Sequence, residues 1–151
     1  MKSILFVTMH DISGKIDNGG NQCSDRNLKL LQTIYGVSSI DICIASEEEI
    51  KKQKKGVYYA RLMRKKHRRF LSGFLGRSDF TYNSVIHICN LIEKNDYQMI
   101  FFDGTRCGNI IERLKKHYKY KGKIVVFAHN VEKDILWQQM LYENILYFPL
   151  Y

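Results

Sequence analysis

Four short strand-like runs, separated by stretches with helical spacing, constrain this chain more than any other feature. The first, residues 3–8, carries the apolar Ile4-Leu5-Phe6-Val7 and gives way to Met9-His10-Asp11. The second, residues 37–45, contains Ile40, Ile42 and Ile44; the third is Met99-Ile100-Phe101-Phe102; the fourth, residues 123–128, holds Ile124-Val125-Val126-Phe127. Runs this short, bounded by polar and glycine residues and rich in β-branched and aromatic side chains, read as strands.

The intervening segments read as helices. Residues 21–35 place Leu28, Leu31 and Tyr35 on one face, and Gly36 supplies the stop. Ser46-Glu47-Glu48-Glu49 resembles a helix start, a serine cap with acids in the first turn. Ser78-Asp79 can cap a helix over residues 78–95 whose apolar face is Val85, Ile88, Cys89, Leu91 and Ile92. Residues 109–118 turn Ile110, Ile111 and Leu114 inward, and residues 133–147 are again helix-compatible. A strand that returns to its sheet through a crossover helix lies parallel to its predecessor. Strands apolar along their length need cover on both sides, so the expected fold class is α/β, an open parallel sheet with helices on both faces. At 151 residues the chain fits one such domain, and a second full domain does not fit.

Cys23, Cys43, Cys89 and Cys107 include no C-x-x-C pair and fall in different elements. They read as reduced thiols of a cytoplasmic protein. His87 and Cys89, the one close His/Cys pair, would point to opposite sides of a helix, so no metal site is expected. Residues 4–7 are too few for the apolar core of a signal peptide, and no stretch approaches the roughly 18 apolar residues of a membrane span.

The formal charge of +9 is concentrated. Residues 51–69 hold ten bases (Lys51, Lys52, Lys54, Lys55, Arg61, Arg64, Lys65, Lys66, Arg68 and Arg69) and no acid, whereas the other 14 bases face 15 acids. Tyr58, Tyr59, Leu62, Met63, Phe70, Leu71, Phe74 and Leu75 fall mostly on one side of a helix drawn through the segment, with the bases opposite. A basic amphipathic helix of this kind suits an anionic membrane surface, with Arg61, Arg64, Lys65, Lys66, Arg68 and Arg69 facing it. The competing reading packs the apolar stripe on the domain and leaves the bases as a solvated rim. Nucleic acid is set aside because no DNA- or RNA-binding signature accompanies the charge.

Ligands of open parallel sheets bind outside the carboxyl ends of the strands. Three of the four runs end there in polar clusters: His10-Asp11 with Gly19-Gly20-Asn21, then Asp103-Gly104-Thr105-Arg106, then His129-Asn130-Val131-Glu132. Gly19-Gly20 before a helix lets backbone approach a phosphate or a sugar hydroxyl. Its spacing matches neither G-x-G-x-x-G nor the P-loop pattern, which argues against a dinucleotide dehydrogenase or an NTPase. Asp103 can accept from sugar hydroxyls or act as a base, or else cap the helix that follows. Arg106 can pair with a phosphate, and His129 can donate to a sugar oxygen.

Lys2-Ser3-Ile4-Leu5-Phe6-Val7, the Asn18-Gly19-Gly20 loop, and Val125-Val126-Phe127-Ala128-His129-Asn130-Val131-Glu132 together resemble the N-terminal domain of bacterial GT-B glycosyltransferases of the family 4 kind. The resemblance implies a Rossmann-like domain that forms the acceptor-side half of the enzyme, with the donor-binding half absent from this chain and the fragment inactive by itself. It implies metal-independent, retaining transfer with no cofactor. The co-substrate would be a UDP- or GDP-type sugar and the acceptor a polysaccharide- or lipid-linked glycan. Asp103 and His129 would then be catalytic, and Gly19, Gly20, Asn21, Arg106, Asn130 and Glu132 would bind substrate. The basic segment would sit where members acting on lipid-linked acceptors dock on the inner face of the membrane. One departure is the third loop, where some members carry a histidine and this chain has Asp103-Gly104-Thr105-Arg106. The alternative is a stand-alone flavodoxin- or receiver-like binding or signalling module.

Overall fold

The computed structural model describes residues 4–10, 12, 19–46, 55–65, 68, 72 and 77–128. Its elements in chain order are β1 (Ile4–Thr8), α1 (Gly19–Tyr35), β2 (Ile40–Ser46), β3 (Val57–Arg61), α2 (Tyr82–Asn95), β4 (Met99–Asp103), α3 (Gly108–Lys116) and β5 (Lys123–Phe127). The five strands form one sheet in the order β3-β2-β1-β4-β5, with every neighbouring pair parallel. This is an α/β, Rossmann-like open sheet. The strand order runs 3-2-1-4-5 and thus differs from the 2-1-3-4-5 order of flavodoxin-like sheets.

Alternation along the strands sorts the core into two layers. Ile4 and Phe6 of β1, with Ile40 and Met99, meet Leu28 and Leu31 of α1. Leu5 and Val7, with Cys43, Ala45, Ala60, Ile100 and Phe102, meet Val85, Ile88, Cys89, Leu91 and Ile92 of α2 and Ile110 and Leu114 of α3. The helices therefore cover both faces, α1 on one and α2 with α3 on the other. Each fully buried aliphatic side chain in these layers contributes about 1.5–3 kcal/mol.

Several elements differ from the expectations above, each for a local physical reason. The residues 57–61, expected within an amphipathic helix, are strand β3. Val57-Tyr58-Tyr59 is β-branched and aromatic, Gly56 turns the chain at φ 82°, and the open side of β2 takes the strand in register from Ile42 opposite Val57. Of the expected membrane-facing bases, Arg61 is therefore half-buried on an edge strand, while Arg64, Lys65 and Arg68 are exposed after it. Lys66 and Arg69 lie outside the described residues. Ser46 ends β2 instead of capping a helix, and residues 47–50 lie outside the described part.

The helix expected from residue 78 begins at Tyr82, because the Thr81 hydroxyl and not Ser78 or Asp79 accepts the Ser84 N–H. Residues 37–39 are a 3₁₀ turn instead of the start of a strand. Helix α1 starts two residues early, so Gly19 and Gly20 form its first turn and not a loop before it. It stops at Gly36 as expected, with φ 84° and its N–H on the Gln32 carbonyl at 2.9 Å. The fourth expected strand is the sheet's edge β5, and Val126 there is 43% exposed instead of buried. The helix expected over residues 133–147 lies outside the described residues.

A buried polar pair sits between the α2–β4 turn and β2. Tyr97 donates its hydroxyl proton to Asp41 Oδ2 at 2.5 Å, both residues almost fully enclosed. Burial first, and then the Asp41 hydrogen bond and charge, push the Tyr97 phenol far above its ordinary range, so it stays protonated as the donor. Replacing Tyr97 by Phe should lower stability by about 1–3 kcal/mol, because it removes a donor from an enclosed carboxylate. Urea unfolding measures the effect, and an unchanged midpoint would show that the pair contributes nothing.

Candidate functional site

The strand order reverses direction between β1 and β4. After β1 the chain crosses one face through α1 to β2; after β4 it crosses the other face through α3 to β5. The loops therefore part above the carboxyl ends of β1 and β4, and such a switch point is where open α/β sheets bind ligands. A cleft of about 320 Å³ lies there, within the range of small-molecule sites. Val7, Met9, Phe80 and Phe102 supply its apolar lining, and His10, Asp79, Thr105 and Arg106 its polar groups. A larger hollow of about 540 Å³ opens among Glu93, Tyr97, Tyr118, Tyr120 and the residues 119–122. It lies at the amino ends of the strands, where no βα loops converge, so size alone does not make it the site.

Asp103 borders the cleft, but its carboxylate is turned away from it. Thr8 and Asp103 are opposite each other in the β1–β4 ladder, so their side chains share the α1 face, whereas Val7 and Phe102 point to the other. Asp103 is 2% exposed. Its Oδ1 accepts from Asn27 Nδ2 at 2.8 Å, and its Oδ2 accepts from the Ser24 hydroxyl by a short hydrogen bond. The Thr8 hydroxyl lies 3.3 Å from both that Oδ2 and Ser24 Oγ, and it accepts the His10 N–H at 3.0 Å. A carboxylate so engaged ties α1 to the ends of β1 and β4. It positions the site's floor, and its hydrogen bonds are made on the α1 face instead of in the cleft. Nor does it cap α3, whose N-cap is Cys107 without a side-chain bond.

His10 is fixed by a close approach. A Cβ added at Gly20 would overlap the His10 ring, lying 2.8 Å from Nδ1, whereas one added at Gly19 would meet nothing. Gly20 thus seats the imidazole at the cleft mouth, and Gly19 is exposed at the helix start. Asn21 is buried in α1. On the far wall Arg106 Nη1 donates to Asp79 Oδ2 at 2.9 Å. The structure therefore brings Gly20, His10, Asp103 and Arg106 together. His129, Asn130 and Glu132 lie outside the described residues. Asp79 is not among the expected site residues, because in the sequence Ser78-Asp79 has the form of a helix cap. The signal that frees it is Thr81, an N-cap residue type nearer the helix start, which makes Asp79 redundant for capping.

Among the described residues no group of three His, Cys, Asp or Glu side chains is placed to hold a metal ion. No helix among them is long and apolar enough to cross a membrane. His87 is exposed and Cys89 buried on α2, as their spacing implies. All four cysteines are free thiols. Burial pushes the Cys43 thiol up to about 12 and that of Cys107, at the cleft wall, to about 11. Burial likewise raises Cys89 to about 11 against the opposing influence of Arg113. No protein-family model, curated protein or solved structure matches this chain.

Two outcomes follow from this geometry. Gly20→Ala should displace the His10 ring and shift its imidazole resonances in NMR spectra, while Gly19→Ala leaves them in place; equal spectra for both variants would contradict the packing. Iodoacetamide at pH 8 should modify Cys23 and spare Cys43, Cys89 and Cys107, since only thiolates react and burial suppresses them. Mass spectrometry of the native protein reads the pattern, and early labelling of Cys107 would contradict it.

Proposed function

We propose that this chain is the acceptor-side half of a nucleotide-sugar-dependent glycosyltransferase of the GT-B kind. The observation that carries the reading is the cleft at the β1–β4 switch point, with a histidine seated on a helix-start glycine at one wall and a carboxylate–guanidinium pair at the other. Apolar lining beneath a polar rim suits a sugar ring, which presents C–H faces and hydroxyl edges. Arg106, in the loop from β4 into α3, is the group that would meet a donor phosphate. His10, at the end of β1, can donate or accept at neutral pH. The 3-2-1-4-5 strand order favours this reading over the flavodoxin- or receiver-like module.

On this reading the protein acts at the cytoplasmic side of the membrane, on a polysaccharide- or lipid-linked acceptor, with UDP- or GDP-sugars as donors. Transfer needs a second domain to grip the diphosphate, so the activity belongs to the full-length protein. The exposed Arg64, Lys65 and Arg68, which follow edge strand β3, are the described part of the basic segment that would approach anionic lipid.

The test is transfer of labelled sugar from UDP- and GDP-sugars to lipid-linked acceptors by the full-length protein. Arg106→Ala should lower kcat/KM about tenfold or more, equivalent to about 1.4 kcal/mol of lost transition-state binding. Full-length protein that transfers no sugar, or that binds a flavin tightly instead, would overturn the reading.

A further inference from the structure

Among the described residues, two enclosed side-chain oxygen atoms have no hydrogen-bond partner, Ser78 Oγ and Asp79 Oδ1. Folded chains satisfy nearly all such groups, because an enclosed acceptor without a donor carries the full cost of its lost water. The two atoms are on adjacent residues, and Asp79 walls the switch-point cleft. Nothing about the local backbone requires an acid there. The α2 cap is Thr81, and the Asp79 carbonyl is already bonded to the Met63 N–H at 2.8 Å. An apolar or amide residue at position 79 would leave those backbone bonds intact.

The half of the carboxylate that is satisfied defines what the other half can take. Oδ2 is held by Arg106, so the pair is neutral as a unit and does not select for a cation. What Oδ1 lacks is a neutral donor. The remaining wall is apolar where Val7, Phe80 and Phe102 contribute and polar at Thr105 and His10. The Arg106 side chain is 44% exposed while that of Asp79 is 13% exposed, so the carboxylate is the more enclosed partner of the pair and the guanidinium holds it from the solvent side.

We propose that Asp79 is the residue that reads a sugar hydroxyl in this cleft. Its Oδ1 accepts the hydroxyl proton of a bound glycoside, and Arg106 orients the carboxylate through Oδ2. The inference rests on the reading of the cleft as a sugar site and names a binding group within it. A hydroxyl recognised by an otherwise unsatisfied buried acceptor gives strong discrimination, because an analogue lacking that hydroxyl leaves the acceptor unpaired again.

The test uses the 151-residue chain with methyl α-glycosides of glucose, mannose and galactose and their monodeoxy forms as probes, with affinities from NMR titration and sites from amide shifts. At least one parent glycoside should bind with shifts centred on His10, Asp79 and Arg106. One monodeoxy form should bind at least tenfold more weakly, and Asp79→Asn should weaken the parent by a similar factor while no longer distinguishing that deoxy form. If Asp79→Asn does not fold, the deoxy series on the unaltered chain decides the matter. Equal affinity across the series, unaltered binding by the folded variant, or no glycoside bound in the cleft would each overturn the proposal. Sugar transfer by the full-length protein with no glycoside discrimination would remove Asp79's role and leave the glycosyltransferase reading standing. Discrimination without transfer would do the reverse.

Discussion

The Asp103 carboxylate is the constraint on which the functional end of this molecule depends. It closes β4, accepts from Ser24 and Asn27 of α1, and lies beside the Thr8 hydroxyl at the end of β1. The carboxyl ends of β1 and β4 and the start of α1 are thus joined through one enclosed carboxylate. Hydrogen bonds to an ionised acceptor contribute about 1.5–3 kcal/mol each, and removing the acceptor would leave enclosed donors unsatisfied as well. A network of this kind restrains geometry in a way that apolar packing does not, since every donor has a direction.

The consequences spread outward from that bond set. Because α1 is anchored at Ser24 and Asn27, its first turn is brought over the end of β1, and Gly20 comes under His10. Because the Asp103 side chain is committed to the α1 face, the adjacent Phe102 and Val7 are left to floor the cleft on the other side. The chain then leaves β4 through Gly104, Thr105 and Arg106, which brings a guanidinium to Asp79 across the opening. One carboxylate braces the floor; another, on a wall that meets no other described element's side chain through Oδ1, is left with an acceptor to offer.

Much of this was legible in the residues, and the exceptions have physical causes. The α/β class followed from strand-like runs alternating with helical spacing, and the runs around Ile4, Ile42, Phe101 and Val125 became strands β1, β2, β4 and β5. The convergence of His10, Gly20, Asp103 and Arg106 followed from the rule that strand ends meet. Strand β3 was not legible, because Tyr58, Tyr59, Leu62 and Met63 satisfy helical spacing as well as strand propensity, and only the open side of β2 decides between them. The exposure of Val126 was hidden for a related reason: an apolar run does not say whether it lies at the centre or the edge of a sheet. The direction of Asp103 depended on its register with Thr8, which is a pairing property and not a property of either residue. Asp79 looked like a cap until Thr81 took that role.

The most direct test of the account is where a sugar nucleotide or glycoside lands on the chain. Amide shift mapping during titration with UDP-glucose, GDP-mannose and a simple glycoside would locate it. The account predicts perturbations centred on Met9 and His10, Asp79 and Phe80, and Gly104 to Cys107, with the Asn27 side-chain amide held in place by Asp103. Perturbations confined to the hollow beside Tyr97 and Tyr120, or to the groove between α2 and α3, would contradict it.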